Sequence, residues 1–185
     1  MRFPYDFRKC SSPTNFIVVS GIPLPYSVIA DNQTGPFTLP NDKPHVFYGY
    51  GLVDNDLVIN PGTELYFHQN SGLMVFSDGS MKVAENAAAG AGDSVIFAGD
   101  RLEPFYENAP GQWGGPLGGI YIGQGSTGNI INNSVIKNAT TALRVDSAGP
   151  LDDQLAISNS YIMNSSRTGF YGGHGNLSAV NTVFS

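Results

Sequence analysis

Carboxylates, aromatic rings and a guanidinium crowd into one stretch of this 185-residue chain, between Gly99 and Gly118. The stretch carries Asp100, Arg101, Glu103, Phe105, Tyr106, Glu107 and Trp113, the last being the single tryptophan of the sequence. Aromatic faces stack on sugar rings or anchor interfaces, and a guanidinium grips a carboxylate through paired hydrogen bonds. Long loops in compact folds are disproportionately functional. These seven residues are therefore the candidate binding set for a glycan or a cell-envelope protein. The competing reading folds Trp113 and Phe105 over the side of the molecule as a plug, with Arg101 paired to a nearby acid.

Catalytic chemistry has less support. Glycoside hydrolysis needs two carboxyl groups about 5 to 9.5 Å apart, whereas the last third of the chain offers only Asp146, Asp152 and Asp153. Asp152 and Asp153 are adjacent in a turn, and adjacent side chains in a strand point to opposite faces. Uronate lyase chemistry asks for a base beside a bound carboxylate, yet Arg144 and Arg167 have no acidic cluster beside them in sequence that suits calcium. No catalytic residue is assigned, and a polysaccharide-degrading enzyme of hydrolase or lyase type stands as the alternative to a non-catalytic role. His45, His68 and His174 lie far apart, without the spacing of a metal motif. No metal or cofactor is expected. The glycine-rich Gly169–Gly175 lacks the Lys-Ser/Thr of a phosphate loop and reads as a turn between strands. Cys10 follows Phe7-Arg8-Lys9, not the apolar run that precedes a lipoprotein cysteine, and reads as a free thiol.

The elements that must position these groups are short strands. The chain holds 23 Gly, 16 Asn, 17 Ser and 9 Thr, and only 13% of its residues are charged. That charge content is about half the roughly 25% of ordinary soluble domains. Asn, Ser and Thr compete for backbone hydrogen bonds in non-helical conformations, and Gly loses too much entropy in a helix, so the balance favours strands and turns. With 41% apolar residues the chain has enough buriable surface for a core. A net charge of −6 has the wrong sign for tracking phosphate backbones, so nucleic acid is excluded as a partner. No apolar stretch approaches the ~20 residues of a membrane helix.

An internal repeat organises the last third. Asn129–Asn138, Leu155–Asn164 and Leu177–Ser185 superimpose through Ile131, Asn133, Ser134 and Ile136; Ile157, Asn159, Ser160 and Ile162; and Ala179, Asn181, Thr182 and Phe184. Successive offsets are 26 and 22 residues. Apolar residues alternate with a period of two, which excludes a helical repeat. One coil of short strands cannot bury its own inner face, so a period of this size implies stacking into a solenoid. The fold expected is all-β: a right-handed parallel β-helix. Asn133, Asn159 and Asn181 then stack at one turn as a ladder of side-chain amides. Similar strands are expected upstream at Asp56–Ile59, Glu64–Phe67, Gly72–Phe76, Ser80–Val83 and Ser94–Phe97, with a loop at Glu85–Gly92.

Three further blocks carry a resemblance. They are Leu39-Pro-Asn-Asp-Lys-Pro-His-Val-Phe-Tyr-Gly-Tyr50, Pro61-Gly-Thr-Glu-Leu-Tyr-Phe-His-Gln-Asn-Ser-Gly-Leu73, and Phe97-Ala-Gly-Asp-Arg-Leu-Glu-Pro-Phe-Tyr106 with Pro110-Gly-Gln-Trp113. In this order they resemble a family of right-handed parallel β-helix surface proteins of Bacteroidetes, usually regarded as lipoproteins and mostly without assigned function. The resemblance implies a protein of the cell surface or outer membrane, facing outward, and supplies no catalytic residues.

Residues 1–45 are rich in proline, with strands expected at Asn15–Ser20 and Tyr26–Ala30. They read as an N-terminal β cap or a preceding small β unit, and residues 46–185 as the β-helix. The sequence breaks off inside a repeat at Val183-Phe184-Ser185, so further sequence or another chain is expected to cover the last coil.

Overall fold

A computed structural model of the chain describes residues 27–29, 37–76, 79–89, 92–146 and 154–185. The strands form three parallel sheets. The first holds β1 (Ser27–Ile29), β3 (His45–Phe47), β6 (Glu64–Phe67), β9 (Val95–Gly99), β12 (Ser134–Lys137), β15 (Tyr161–Met163) and β18 (Val183–Phe184). The second holds β4 (Tyr50–Val53), β7 (Gly72–Val75), β10 (Ile120–Ile122), β13 (Thr141–Asp146) and β16 (Thr168–Gly173). The third holds β2 (Phe37–Leu39), β5 (Asp56–Ile59), β8 (Ser80–Val83), β11 (Asn129–Asn132), β14 (Leu155–Ser158) and β17 (Leu177–Val180). From β3 onward the chain visits the first, second and third sheets in turn, one strand each per coil. This is a parallel β-helix. The strands expected at Asp56–Ile59, Glu64–Phe67 and Ser80–Val83 form with those bounds.

The coils stack because strand alternation turns one side of every sheet inward. Leu39, Ile59, Val83, Ile131 and Ile157 form one buried column, and Leu65, Phe97, Ile136 and Ile162 another, with Phe47 over Phe67 beside it. The three-segment superposition is the stacking register itself: Ile131 pairs with Ile157 and Ile157 with Ala179, while Ile136 pairs with Ile162 and Ile162 with Phe184. Parallel aromatic rings run through the interior, with Phe47 and Phe67 centroids 4.8 Å apart.

The described strands upstream of residue 46 extend the same sheets as those downstream: β1 pairs with β3, and β2 with β5. β1 lies within the expected Tyr26–Ala30 strand, whereas the expected Asn15–Ser20 strand and Cys10 lie outside the described residues, as do Asp152 and Asp153. The glycine-rich run Gly169–Gly175 is not a turn, since Thr168–Gly173 is a strand paired with Thr141–Asp146. Its glycines make room for larger neighbours; a Cβ at Gly172 would lie 3.2 Å from the Phe170 ring, and one at Gly173 would lie 2.7 Å from Asp146 Oδ1.

Corners between sheets are made by asparagine. Asn133, Asn159 and Asn181 occupy the corner from the third sheet to the first, with φ of 43°, 50° and 48°. Asn tolerates this left-handed region better than other side chains because its short amide can bond locally. Asn181 Nδ2 donates to Asn159 Oδ1 at 2.8 Å, and Asn159 Nδ2 donates onward to Oδ1 of Asn132, at 2.9 Å. The amide chain thus passes through Asn132, while Asn133 Oδ1 accepts from Ser94 Oγ at 3.3 Å. The next residue of each repeat closes the corner: Ser134, Ser160 and Thr182 donate their hydroxyls to the carbonyls of Asn132, Ser158 and Val180.

Candidate functional site

The Gly99–Gly118 stretch has two parts with opposite fates. Residues 100–111 leave the solenoid, turn through one 3-10 turn at Pro104–Tyr106 and return; Gln112–Gly114 then take a place in the stack. Gln112 N–H donates to the Asn138 carbonyl at 2.8 Å, Thr140 N–H to the Trp113 carbonyl at 2.8 Å, and Gly114 N–H to the Ser71 carbonyl at 2.9 Å.

Trp113 is therefore corrected from a binding residue to a core residue. It is 1% exposed, its indole stacks on Phe67 with centroids 4.4 Å apart, and its Nε1 donates to the Lys137 carbonyl at 2.8 Å. No ligand can reach it. The physical reason is space: Gly119 lies against the indole, where a Cβ would come 2.5 Å from a ring carbon. The glycine that makes this room is Gly119, six residues downstream, so the immediate flanks of Trp113 carried no signal for its burial.

The excursion folds back on the outer face of the first sheet. Tyr66, Ile96, Ala98 and Lys137 project outward from β6, β9 and β12, and the small Ala98 and Gly99 leave a depression among them. Arg101, Leu102, Pro104, Tyr106 and Glu107 roof it, leaving a cleft of about 270 Å³. The Arg101 guanidinium sits 5.1 Å from the Tyr106 ring centroid, a cation–π distance. Tyr106 in turn meets Phe105 edge to face at 5.2 Å. The loop base is clamped by Gln112, whose Nε2 donates to the carbonyls of Tyr106 and Ala109 at 2.6 and 2.8 Å. Asn138 closes the inner end: its Nδ2 donates to the Glu107 carbonyl at 2.9 Å, while its buried Oδ1 has no hydrogen-bond partner. Tyr66 donates its hydroxyl to Glu64 at 3.2 Å; burial first, then the adjacent carboxylate, push its pKa up to about 12.

Of the seven residues expected to bind, the fold brings Arg101, Tyr106 and Glu107 to this cleft. Asp100 turns to His68, with Oδ2 at 2.7 Å from Nδ1, and the His68 ring packs on Tyr48 at 4.9 Å. Glu103 precedes the 3-10 turn and accepts the Tyr106 N–H on its carbonyl. Phe105 is 86% exposed and points away from the cleft floor. Sequence reasoning missed Lys137 and Asn138, which lie 26 and 27 residues downstream of the excursion. The available signal was the coil register, since Ile136 pairs with Phe97 and so sets Lys137 beside Ala98.

The outer face of the second sheet carries another arrangement. Tyr121, Arg144 and Tyr171 are in register on β10, β13 and β16, and the guanidinium lies 5.2 and 5.5 Å from the two ring centroids. Arg144 also holds Asp146 at 3.1 Å, and Tyr121 donates to the same carboxylate at 2.7 Å. Burial pulls the Asp146 pKa upward, but the hydrogen bonds from Arg144 and Tyr121 outweigh it, and the net shift is down. Tyr121, Arg144 and Asp146 thus satisfy one another, which makes the set a structural ladder.

Among the described residues no group of three or more His, Cys, Asp and Glu is placed to hold a metal ion, and no helix is long and apolar enough to cross a membrane. Comparison with family models, with curated proteins and with solved structures finds no significant match.

Proposed function

We propose that the chain is a non-catalytic β-helix scaffold displayed on the surface of a Bacteroidetes-type cell envelope, and that it binds a glycan in the cleft beneath residues 100–111. The observation that carries this is the cleft's composition: two tyrosines, two cations and a buried amide oxygen without a partner, around a volume of about 270 Å³. Ligand sites combine an apolar wall with a few convergent polar groups, and an orphaned buried acceptor is a group that folding alone leaves unsatisfied. The surface location is supported by the three sequence blocks and by the low charge of the chain. A non-catalytic role is supported by the lining, in which Glu107 is the single carboxylate where glycoside hydrolysis uses two.

The test is a glycan array probed with the whole chain, beside Tyr106→Ala and, as a remote control, Tyr171→Ala. Retention of one or more glycans, weakened at least about tenfold by Tyr106→Ala and unchanged by Tyr171→Ala, is the expected result. An empty array, or binding indifferent to Tyr106→Ala, removes the glycan reading and leaves a structural role.

A further inference from the structure

We infer that the cleft selects an acidic sugar, its carboxylate held by Arg101 and Lys137. This rests on the glycan reading above and names the ligand class of that same site.

Charge distribution is the first argument. The chain carries 15 acidic and 9 basic residues, so its overall field repels anions. Even so, Arg101 and Lys137, which have no ion-pair partner among the described residues, face the same cleft. Arg144 shows how this fold treats a cation it uses only for structure, sandwiching it between tyrosines and pairing it with Asp146. Lys137 and Arg101 are left with their charge available. Lys137 is held on a strand, with Met163 as its neighbour in the next coil, and a rigid strand is a more precise platform than a loop for a charged contact.

Uronic acids carry a carboxylate and several hydroxyls on a single ring. The cleft volume of about 270 Å³ is at the small end for ligand sites and suits one sugar residue with its substituents. Glu107, exposed at the rim, is left to accept a hydroxyl, and the Tyr106 ring, already under a guanidinium, offers a stacking edge.

The experiment is calorimetric titration of the whole chain with oligogalacturonate and with the matching neutral galactose oligosaccharide, repeated for the glucuronate and glucose pair. Preference for a uronate of at least about tenfold is expected, disappearing in Arg101→Met and Lys137→Met while circular dichroism and the thermal midpoint stay unchanged. Both side chains project from the outer surface, so neither variant threatens the core. Equal binding of acidic and neutral forms overturns the inference but leaves the glycan reading standing. Binding to neither, with an empty array, overturns both. A preference that survives both substitutions removes it from this cleft, and inorganic sulfate binding as tightly as the uronate overturns the selection of a sugar.

Discussion

Two single residues show most directly how position sets chemistry. Asn159 has φ of 50° and both accepts from Asn181 and donates to Asn132. Replacing it with Gly keeps the backbone and loses the amide, which is expected to cost about 1 kcal/mol. Asn159→Val adds about 1 to 2 kcal/mol of left-handed strain to that, so urea midpoints should fall in the order wild type, Gly, Val. The other residue is His45, buried with its Nε2–H donating to the Pro40 carbonyl at 2.8 Å. Burial lowers its pKa below 6.5. The unfolded chain therefore takes up a proton before the folded one does, and stability is complete above about pH 6.5 and declines as pH falls through the folded value. Denaturant midpoints measured at about pH 7.5 and about pH 5.5 should differ in the wild type and converge in His45→Gln, which keeps the donor without the titration. Asp146 acts in the same direction, but only nearer the carboxylate range, because its folded pKa is lowered from 3.8.

Among the elements, the excursion after β9 is where sequence and structure part most informatively. A single tryptophan in a Gly-rich loop read as a recognition residue; the stack claims it instead, because Phe67 below and Ala139 above leave a ring-sized place at that corner. Trp113→Ala is expected to cost about 3 to 5 kcal/mol, read as a large drop in thermal midpoint. Gly119→Ala should destabilise for the same reason, because its Cβ would meet the indole. The repeat strands were legible, since apolar alternation and the 26- and 22-residue offsets place Ile131 over Ile157 and Ile136 over Ile162. The Tyr121, Arg144 and Tyr171 ladder was not, because those residues align only once the 23- and 27-residue intervals between their coils are known. Arg144→Met is expected to lower stability by about 1 kcal/mol and to leave binding in the cleft untouched, which separates the two outer faces experimentally.

At the scale of the molecule, stability is distributed along one axis. Each coil touches only the coils above and below, so opening proceeds from wherever a coil has a single neighbour. Central core residues such as Leu65, Val95, Ile120 and Leu143 are fully buried. Amide hydrogen exchange should therefore vary from coil to coil and be slowest in β6, β9, β10 and β12. Uniform protection along the axis would mean that the coils open together and would contradict a nearest-neighbour solenoid. The sparse charge of the chain fits the same geometry: equivalent positions stack about 4.8 Å apart, where a repeated like charge would form a repelling column, and the Asn, Ser and Thr corners form hydrogen-bonded columns instead.

Composition, period-two alternation and the repeat offsets were enough to specify strands, stacking and the corner asparagines, because each depends on interactions between residues whose spacing is nearly constant from coil to coil. The cleft depends on one irregular interval. Phe97 to Ile136 spans 39 positions, enlarged by the excursion, and that length sets Lys137 and Asn138 against Arg101, Tyr106 and Glu107. No local pattern encodes such a meeting. It arises when backbone hydrogen bonding closes the sheet around the excursion, and the same closure sends Trp113 inward while leaving Arg101 and Lys137 facing one cleft.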